Sequence, residues 1–517
     1  MVVLTLVSVT AVLYLTTNHL HHGKPSAKMT NKQAHRETTD VQRSITSSRK
    51  NHSTVQDFNT MPSRHPKKFI RHRTHSQQSA SGRIMKQSIG SKSTSIFNST
   101  SDITRHATGS VIENPGCALP QGGYKAWKQG VVTVLQPEIN RNCTKLFAGD
   151  KGEAERIKKE SKKWKNALSD DEFLERTHNC SWLREELTNN LYNTSLEREI
   201  PMAYIFIINE RPQSVIRNLK LLYRPQNTFC INYDTKSPPT FKQIFKNINR
   251  CFENIMIGSK QEDIIWGYYT IMEAQLNCHY DLLKFRESRP PSRQWKYVIN
   301  LCGKELPLMS PHEMVSRLNV LNGSASIITK RVTSRNVYDL ERIRNKVEYS
   351  SWYGGPTITD EKLEHIPFDL TFYKSSSYSI LSPKFVHFLL TDPIAREVHH
   401  FFTKAMHSEE HFYATLFMMP GVPGGYDSKL GHHYVRAAHS TWQLSQHNEP
   451  CYGIVINSIC TITAGDLPMV MRTSENRTLF HNKYLMERDH TAMDCLEERI
   501  VDKNKLEYER DCSSWQL

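Results

Sequence analysis

All eleven cysteines of this 517-residue chain lie between Cys117 and Cys512, and none occurs among the first 116 residues. This confinement predicts an oxidised domain that contains several disulfides and one leftover thiol, preceded by a segment of another kind. No two cysteines form a CxxC pair, so a zinc site is not expected. Spacing alone leaves the disulfide connectivity open.

The leading segment is basic and polar. Residues 18–110 contain 16 Lys/Arg and 4 Asp/Glu, a net +12 of the +15 carried by the whole chain. They show no helical or alternating apolar pattern, so they cannot bury enough surface to offset the entropy of ordering. We expect residues 18–115 to form a disordered Ser/Thr/His-rich basic stem. Binding to nucleic acid is not expected, because only three phenylalanines are interleaved with the basic residues.

The chain begins with an apolar run at residues 2–17. Its length is at the lower limit of about 17 residues for a membrane-spanning helix. The run is therefore either a short signal-anchor or a cleaved signal peptide, and the absence of a small-x-small cleavage site favours the anchor. The basic residues that follow it count against the orientation with a luminal domain. We nevertheless expect residues 1–17 to be a type II anchor and residues 116–517 a luminal domain.

Seven Asn-x-Ser/Thr sequons occur in the chain, two of them in the predicted stem. Single sequons arise by chance, but together with the apolar leader and the cysteines they favour a secretory protein. The sequons of the predicted domain, taken as N-glycosylation sites, are Asn142, Asn179, Asn193, Asn322 and Asn476.

Short apolar, β-rich segments alternate with helical patterns in the middle of the chain. Residues 201–209, 229–233 and 297–301 are typical of buried strands, and residues 264–283 have helical apolar spacing. This alternation predicts an α/β domain with a mostly parallel central sheet. Ligands of such sheets bind beyond the carboxyl ends of the strands, where Asp234 follows a strand. From spacing alone, Asp234 either caps a turn or contacts a ligand.

No Asp-x-Asp sequence occurs in the chain. Many nucleotide-sugar transferases use such a pair to hold a divalent metal against the diphosphate of the donor. Without it, the negative charge must be met by Lys, Arg or backbone N–H groups. The absence is equally consistent with a metal-independent transferase and with no transferase at all.

Several segments resemble the core 2 and related β-1,6-N-acetylglucosaminyltransferases of glycosyltransferase family fourteen. The resemblance extends from about residue 143 to residue 500 with preserved order and spacing, which is more specific than any single motif. The matching segments are PMAYIFIINE (201–210), YRPQNTFCINYDTKS (223–237), CFENIMIGS (251–259), AQLNCHYDLL (274–283), YVINLCGKELPL (297–308), SEEHFYATLFMMPGVPGG (408–425), AGDLPMVMR (464–472) and LFHNKYLMERDHTAMDCLEERI (479–500).

The resemblance implies a GT-A-like nucleotide-sugar transferase domain that moves N-acetylglucosamine from UDP-GlcNAc with inversion, without a metal or other cofactor. It also implies a Golgi location, a glycoprotein O-glycan acceptor and an unpaired thiol at Cys302. Because Cys117 and Cys512 both lie at the edges of the domain, we predict that they pair with each other. The disulfides implied by the resemblance are Cys143–Cys495, Cys180–Cys251, Cys230–Cys278 and Cys451–Cys460.

An inverting transferase needs one general base, and a carboxylate in a dry site suits that role. Glu409 and Glu410 are adjacent in SEEHFYATL. Helical neighbours diverge by about 100°, so we expect only one of them to face a given cleft. Local sequence alone would favour a surface helix with exposed acids. The resemblance places the base immediately before His411, which selects Glu410.

The resemblance implies that a Lys and an Arg stabilise the departing UDP. The lysine matches Lys483, but the arginine position is occupied by Asn457, which carries no charge. Arg472 or Arg477 could compensate, since the segment between Arg472 and Leu479 is three residues longer than the family pattern.

Other donor-side positions match Ile208, Asp234 near the nucleoside, and Trp266 in place of a tyrosine.

The acceptor side departs more from the family. Trp442 and Arg342 match residues that contact the acceptor disaccharide, whereas Leu444 replaces a Tyr, Asp339 a Lys and Ile328 a Glu. Sugars are read by hydrogen bonds, so these losses put Galβ1-3GalNAc in doubt as the acceptor.

The leading hypothesis is a β-1,6-N-acetylglucosaminyltransferase that branches mucin-type O-glycans of the core 2 type, with Galβ1-3GalNAc-Ser/Thr as the acceptor. One alternative is a family member with changed specificity, such as an I-branching or xylosyl enzyme. Another is a catalytically inactive luminal module that binds glycans or UDP, for which Asn457 is the best support. A homodimer is left open.

Overall fold

The computed structural model of the protein describes residues 140–161, 169–188, 191–352, 354–363, 365–430, 434–443, 451–475 and 477–514. The predicted anchor and stem, and Cys117, lie outside these residues, and so does the proposed pairing of Cys117 with Cys512. None of the helices in the described ranges is both long and apolar enough to traverse a bilayer.

The strands and helices of the described ranges follow one another along the chain as numbered here. The strands are β1 (Met202–Ile208), β2 (Thr228–Tyr233), β3 (Ile255–Ile257), β4 (Tyr297–Leu301), β5 (Glu305–Pro307), β6 (Lys330–Arg331), β7 (Asn345–Ser350), β8 (Gly355–Lys362), β9 (Tyr373–Lys374), β10 (Ile380–Leu381), β11 (Arg436–Ser440), β12 (Val455–Ile456), β13 (Ile459–Cys460) and β14 (Thr478–Asn482). The helices are α1 (Cys143–Phe147), α2 (Lys151–Ser161), α3 (Asp170–Thr177), α4 (Cys180–Thr188), α5 (Ser195–Glu199), α6 (Pro212–Leu222), α7 (Pro239–Cys251), α8 (Thr270–Glu287), α9 (Pro311–Asn319), α10 (Val337–Arg344), α11 (Pro383–Thr391), α12 (Pro393–Phe402), α13 (Ser408–Phe417), α14 (Leu467–Glu475) and α15 (Thr491–Ser513).

A five-stranded sheet in the order β10-β4-β1-β2-β3 organises the domain. β1 pairs in parallel with β2 and β4, β2 pairs in parallel with β3, and only β10 runs antiparallel to its neighbour. This confirms the predicted α/β class with a mostly parallel sheet. The parallel register brings the carboxyl ends of β1, β2 and β4 to the same edge, which positions the site described below.

Both faces of the sheet are covered, which explains the continuous apolar sequences of its strands. Along β1, Tyr204 and Phe206 belong to one apolar cluster, with side chains of α6 and α7. The alternate residues Ala203 and Ile205 belong to a second cluster, with side chains of α8, α11, α12 and α13. The period of two along a strand thus divides the core between the two faces.

The predicted strands agree closely with β1, β2 and β4, but the helix predicted over residues 264–283 begins only at Thr270. The preceding residues form turns, and Gly267 has a positive φ of 80°. A helix cannot pass through that backbone conformation, so its apolar spacing there was misleading. The turn instead carries Trp266.

A second, three-stranded sheet in the order β11-β14-β5 adds the C-terminal part of the chain to the same edge. β14 runs antiparallel to β5, and Asn482 pairs with Glu305 just after the end of β4. The residue that follows β14, Lys483, is therefore brought close to the β4–β5 turn.

Four disulfides have both of their cysteines in the described ranges, and they are the pairs that the resemblance implied. The largest loop is closed by Cys143–Cys495, which joins α1 to α15, and Cys302 is a free cysteine. Cys512 is also disulfide-bonded. The other described pairs are Cys180–Cys251, Cys230–Cys278 and Cys451–Cys460.

Four of the five sequon asparagines expected to carry glycans lie in described ranges. Asn142, Asn179 and Asn322 are exposed, and the first two use their side-chain oxygen to cap the starts of α1 and α4. Asn193 is half-buried and its amide exchanges two hydrogen bonds with Gln226. N-glycosylation stays a prediction at each of them, and Asn476 lies outside the described residues.

Candidate active site

A cavity of about 650 Å³ opens at the carboxyl edge of the central sheet. Its wall includes Ile208 at the end of β1, Asp234 directly after β2, and Leu301 at the end of β4. This is the position at which open α/β sheets bind ligands. The volume lies within the range of about 300–1,000 Å³ that is typical of small-molecule pockets.

Asp234 caps a turn and also lies at the cavity wall, so its contact with a ligand stays a prediction. Its carboxylate accepts a hydrogen bond from the Lys236 backbone at 2.9 Å, which is a turn cap, and it also lies 3.1 Å from the Lys236 ammonium. Its own backbone N–H donates to Ile208 at 2.9 Å, which fixes it at the cavity wall. The structure thus brings Asp234 and Ile208 together as adjacent parts of one surface.

The first turn of α13 supplies two carboxylates to the cavity, Glu409 and Glu410. The expectation that only one of them would face the cleft is wrong. Both acids lean back toward the N-terminus of the helix, as Cα–Cβ bonds do, and so both approach His407. Glu409 is buried, with one carboxylate oxygen 3.9 Å from the Nδ1 of His407 and the other without a hydrogen-bond partner.

Glu410 is more accessible than Glu409 and lies beside a cation. One of its carboxylate oxygens is 3.4 Å from the ammonium of Lys374, which also contacts Asp339 at 2.8 Å. Burial raises the pKa of Glu410 above its ordinary value, while Lys374 opposes the rise and Glu409 adds to it. The result is a carboxylate with enhanced proton affinity at the cavity wall, as a general base requires.

The turn between β4 and β5 carries Cys302 and Lys304 into the cavity wall. Buried Glu305 holds this turn, because its carboxylate accepts hydrogen bonds from the Cys302 and Lys304 backbone N–H groups at 3.1 Å. The Cys302 thiol also donates to Glu305 at 2.7 Å, and burial raises the pKa of this thiol to about 12. Cys302 is therefore a protonated hydrogen-bond donor and not a nucleophile.

Lys483 follows Asn482, which pairs with Glu305 beside this turn. It is not among the residues that line the cavity. Its ammonium donates a hydrogen bond to the carbonyl of Ile456 at 3.3 Å. Burial lowers the pKa of Lys483, and the neighbouring charge of Lys304 adds to this effect. Among the described residues, no carboxylate lies within ion-pairing distance of Lys483.

Two exposed tryptophans line the cavity, as expected for rings that could stack on a ligand. Trp266 is 73% exposed and meets the ring of His407 edge-on at 4.7 Å. Trp442 is about half exposed and pairs with Ile459 through its backbone. Ile328 also contributes to the wall.

The acceptor-side arginine expected from the resemblance, Arg342, does not line the cavity. Its guanidinium lies 3.9 Å from the ring centre of Tyr338 and donates a hydrogen bond to the hydroxyl of that residue. Its charge nevertheless lowers the pKa of Glu410, so the two residues are neighbours. Leu444 lies outside the described residues.

None of the three residues discussed for the missing cation is among those that line the cavity, although Ile459, in the same hairpin as Asn457, does line it. Asn457 and Ser458 form the two-residue turn of the β12–β13 hairpin, with φ of 52° and 62°, and both are exposed. Asparagine adopts this left-handed backbone readily, which is a local reason for its presence. Arg472 and Arg477 are exposed and are not part of the cavity wall.

One group of side chains in the site has the composition of a metal site. His407, Glu409 and Glu410 each offer an atom within 4.8 Å of the others. A divalent cation could use these groups, so that metal independence stays a prediction. A second group, Cys451, Cys460 and Asp466, does not qualify, because its two sulfurs are joined in a disulfide.

Sequence reasoning missed Lys304 and Lys374. Lys304 follows β4 at its carboxyl end, and the rule that singled out Asp234 after β2 would have found it. Lys374 carries no such signal, because it lies in a two-residue strand that tertiary packing brings to Glu410.

Comparisons with known proteins identify the family. The family model described as Core-2/I-Branching enzyme matches residues 202–471. The β-1,3-galactosyl-O-glycosyl-glycoprotein β-1,6-N-acetylglucosaminyltransferase 3 of Homo sapiens is 31% identical over 380 residues, which cover 69% of this chain and 82% of that protein. A second human enzyme, of the same name without the number, is 28% identical, and the alignment covers 71% of this chain and 86% of that enzyme. The Danio rerio enzyme with the number 4 is 29% identical, and its alignment also covers 71% of this chain and 86% of that enzyme.

Solved structures align only weakly. Mouse xyloside xylosyltransferase 1 covers 48% of this chain and 90% of its own, with a TM-score of 0.24 and 10% identity, which is too low to inform the fold. The sequence comparisons, by contrast, decide the family. This chain belongs to the Core-2/I-Branching enzyme family.

Proposed function

We propose that this protein transfers N-acetylglucosamine from UDP-GlcNAc in β-1,6 linkage to an O-glycan acceptor, with inversion and without a metal. The domain would then be of the GT-A-like type. The observation that carries the proposal is the position of Glu410, a carboxylate of raised pKa on the wall of a cavity at the carboxyl edge of a parallel sheet. The names of the relatives support the donor sugar and the linkage.

In the proposed reaction, a primary hydroxyl of the acceptor attacks the anomeric carbon of the donor sugar. The new carbon–oxygen bond forms on the face opposite the diphosphate, the bond to the diphosphate oxygen breaks, and UDP leaves with the electron pair. Glu410 accepts the hydroxyl proton as the attack proceeds. Glu409 is the less accessible of the two acids and would orient the donor sugar or His407.

The departing UDP gains negative charge in the transition state, which preorganised cations stabilise. Lys483 supports this role through its position beside the β4–β5 turn and its lack of a carboxylate partner in the described chain. Asp234 and Ile208 would bind the nucleoside side, and Trp266 and Trp442 offer rings on which sugars or bases can stack.

The test is a screen for UDP release with UDP-GlcNAc and a panel of O-glycan acceptors, run with wild type, Glu410→Gln and Glu409→Gln. Wild type should release UDP with at least one acceptor. Glu410→Gln should lower turnover by about 10²- to 10⁴-fold, as expected for loss of a general base, while its affinity for UDP is kept. A larger loss in Glu409→Gln than in Glu410→Gln would overturn the assignment of the base.

A second candidate function, an inactive module that binds UDP or glycans, is favoured by one observation. Asn457 carries no charge and lies in an exposed turn, so the arginine of the family pattern is absent. Measurable UDP binding without turnover of any sugar nucleotide would support this candidate. Release of UDP with an acceptor would exclude it.

The acceptor and location are part of the same proposal. Galβ1-3GalNAc is the acceptor proposed first, and Asp339 and Ile328 in place of hydrogen-bonding family residues make changed acceptor specificity the alternative that the screen tests. Residues 1–17 would anchor the protein in the Golgi membrane with residues 116–517 in the lumen. Fluorescence microscopy of a tagged full-length chain, with protease protection of the tag, tests that location.

A further inference from the structure

Lys304 lines the cavity, and Lys483 lies on the neighbouring segment of backbone, because Asn482 pairs with Glu305. The backbone N–H of Tyr484 donates a hydrogen bond to the Lys304 carbonyl at 2.8 Å. The two backbone segments therefore meet within one residue of Lys483. The charge of Lys304 lowers the pKa of Lys483, although burial is the larger cause. Two lysines on adjacent backbone segments, one of them at the wall of a cavity, provide positive charge that favours an anion.

Negative side chains compensate the positive charges of Lys304 and Lys483 only in part. The Lys304 ammonium lies 2.8 Å from a carboxylate oxygen of Glu210, and that carboxylate also contacts Arg211. In the described chain, Lys483 has a backbone carbonyl and no carboxylate at its ammonium. Because Glu210 has a second cationic partner, Lys304 can turn to a ligand without leaving that carboxylate alone.

The backbone that carries Lys304 is fixed. Gly303 has a positive φ of 79°, and a Cβ at this position would lie 3.0 Å from side-chain carbons of Ile208 and Val215. On the other side of the turn, buried Glu305 accepts the Lys304 backbone N–H. A rigid turn lets a cation act on a ligand with little loss of entropy on binding.

Other cations are less well placed to act together with Lys483. Arg436 lines the cavity at the start of β11, but it is Ser440, four residues further along, that pairs with Asn482. Four residues of a strand span about 13 Å, so Arg436 lies at the far end of β11 from Lys483. The ammonium of Lys374 is held between Asp339 and Glu410.

The geometry points to Lys304 as the second cation that binds the donor diphosphate, so that a pair of lysines, Lys304 and Lys483, replaces an Arg–Lys pair. This inference rests on the proposed function, since it presumes a nucleoside diphosphate in the cavity. Lys304 lines the cavity and can contact the phosphates, whereas Asn457 lies in the exposed turn of the hairpin whose Ile456 carbonyl is bound by Lys483.

The test compares the binding of UDP and UMP by calorimetry in wild type, Lys304→Met, Lys304→Gln and Lys304→Arg. Both neutral variants should weaken UDP binding by about tenfold or more, because a charge-assisted contact to phosphate is lost. Their affinity for UMP, which has no β-phosphate, should change by less than about twofold, and Lys304→Arg should stay close to wild type. Lys505→Met, at an exposed residue of α15, is the matched control and should behave as wild type.

The outcomes separate this inference from the proposed function. Unchanged UDP affinity in both neutral variants, or an equal loss for UDP and UMP, overturns the role of Lys304 even if wild type releases UDP with an acceptor. A wild type without turnover contradicts the transferase proposal, while the comparison of UDP with UMP still decides the role of Lys304. A wild type that does not bind UDP overturns both.

Discussion

The ammonium of Lys374 lies 3.4 Å from a carboxylate oxygen of Glu410. The same ammonium contacts Asp339, at the position where the family resemblance expects a lysine. An ammonium group thus lies beside Glu410, but the lysine that carries it is on β9 and not on α10. An acceptor would meet a differently oriented ammonium group, which is a physical reason to expect changed specificity.

Replacing Lys374 should change the pH dependence of turnover. The proposed base acts only when deprotonated, and burial raises its pKa, so kcat/KM should fall on the acid side at a higher pH than an ordinary Glu pKa of about 4.3 would give. Lys374→Met removes the charge that opposes this rise, and the acid limb should move up by about one pH unit. The measurement is a pH profile of kcat/KM, with Lys346→Met on the β7–β8 hairpin as control. A limb that stays in place or moves to lower pH contradicts the proximity effect.

Removal of divalent cations should leave turnover unchanged. The proposed leaving-group stabilisation uses lysines, although His407, Glu409 and Glu410 are close enough together to hold a cation. We expect the same rate of UDP release in buffer and in excess EDTA. If activity is lost in EDTA and returns with Mn²⁺ or Mg²⁺, these three residues form a metal site and Glu410 is not a free base.

Truncation of Trp266 should weaken ligand binding without destabilising the protein. Its side chain is 73% exposed, so little apolar surface is lost from the core when it is removed. Trp266→Ala should raise KM for donor or acceptor by about five- to tenfold, as expected for a lost stacking contact of about 1 kcal/mol, and Trp266→Phe should retain most of the affinity. Steady-state kinetics and thermal unfolding measure both effects. A lower melting temperature with unchanged KM would instead assign Trp266 a structural role.

Introducing an arginine at Asn457 should strengthen UDP binding. The ammonium of Lys483 contacts the carbonyl of Ile456, so a guanidinium on the next residue would lie beside it. We expect a severalfold gain in UDP affinity, reduced by the cost of placing a less suitable residue at a φ of 52°. Asn457→Lys and Asn457→Gln separate charge from size. Equal affinities in all four proteins would show that this turn does not face the diphosphate.

The parts of the fold that were predictable from sequence are those governed by local periodicity. β1, β2 and β4 are continuous apolar runs because helices cover both faces of the sheet, and Asp234 follows from the rule for strand ends. The start of α8 was not predictable from periodicity, because the turn at Gly267 interrupts an apolar pattern that continues on both sides.

The chemistry of the site was predictable where it lies on one element and not where elements meet. Glu410, on α13, was selected by the family resemblance, and the structure places it at the cavity wall, while its role as the base stays a prediction. The approach of Lys374 depends on pairing of the short strands β6 and β9, and that of Lys304 to Lys483 on pairing of β5 with β14. Neither pairing leaves a trace in the local sequence, since each joins residues more than 40 positions apart.

The Cys143–Cys495 bond has a mechanical consequence. Tension applied to the chain ahead of residue 143 passes through one covalent bridge directly to α15, near the other end of the domain. The strands that carry Asp234 and Lys304 lie between these two cysteines in sequence and are bypassed by the load. A pull between the chain ahead of residue 143 and the chain after residue 495 would therefore be carried by the bridge and not by the strands that form the pocket.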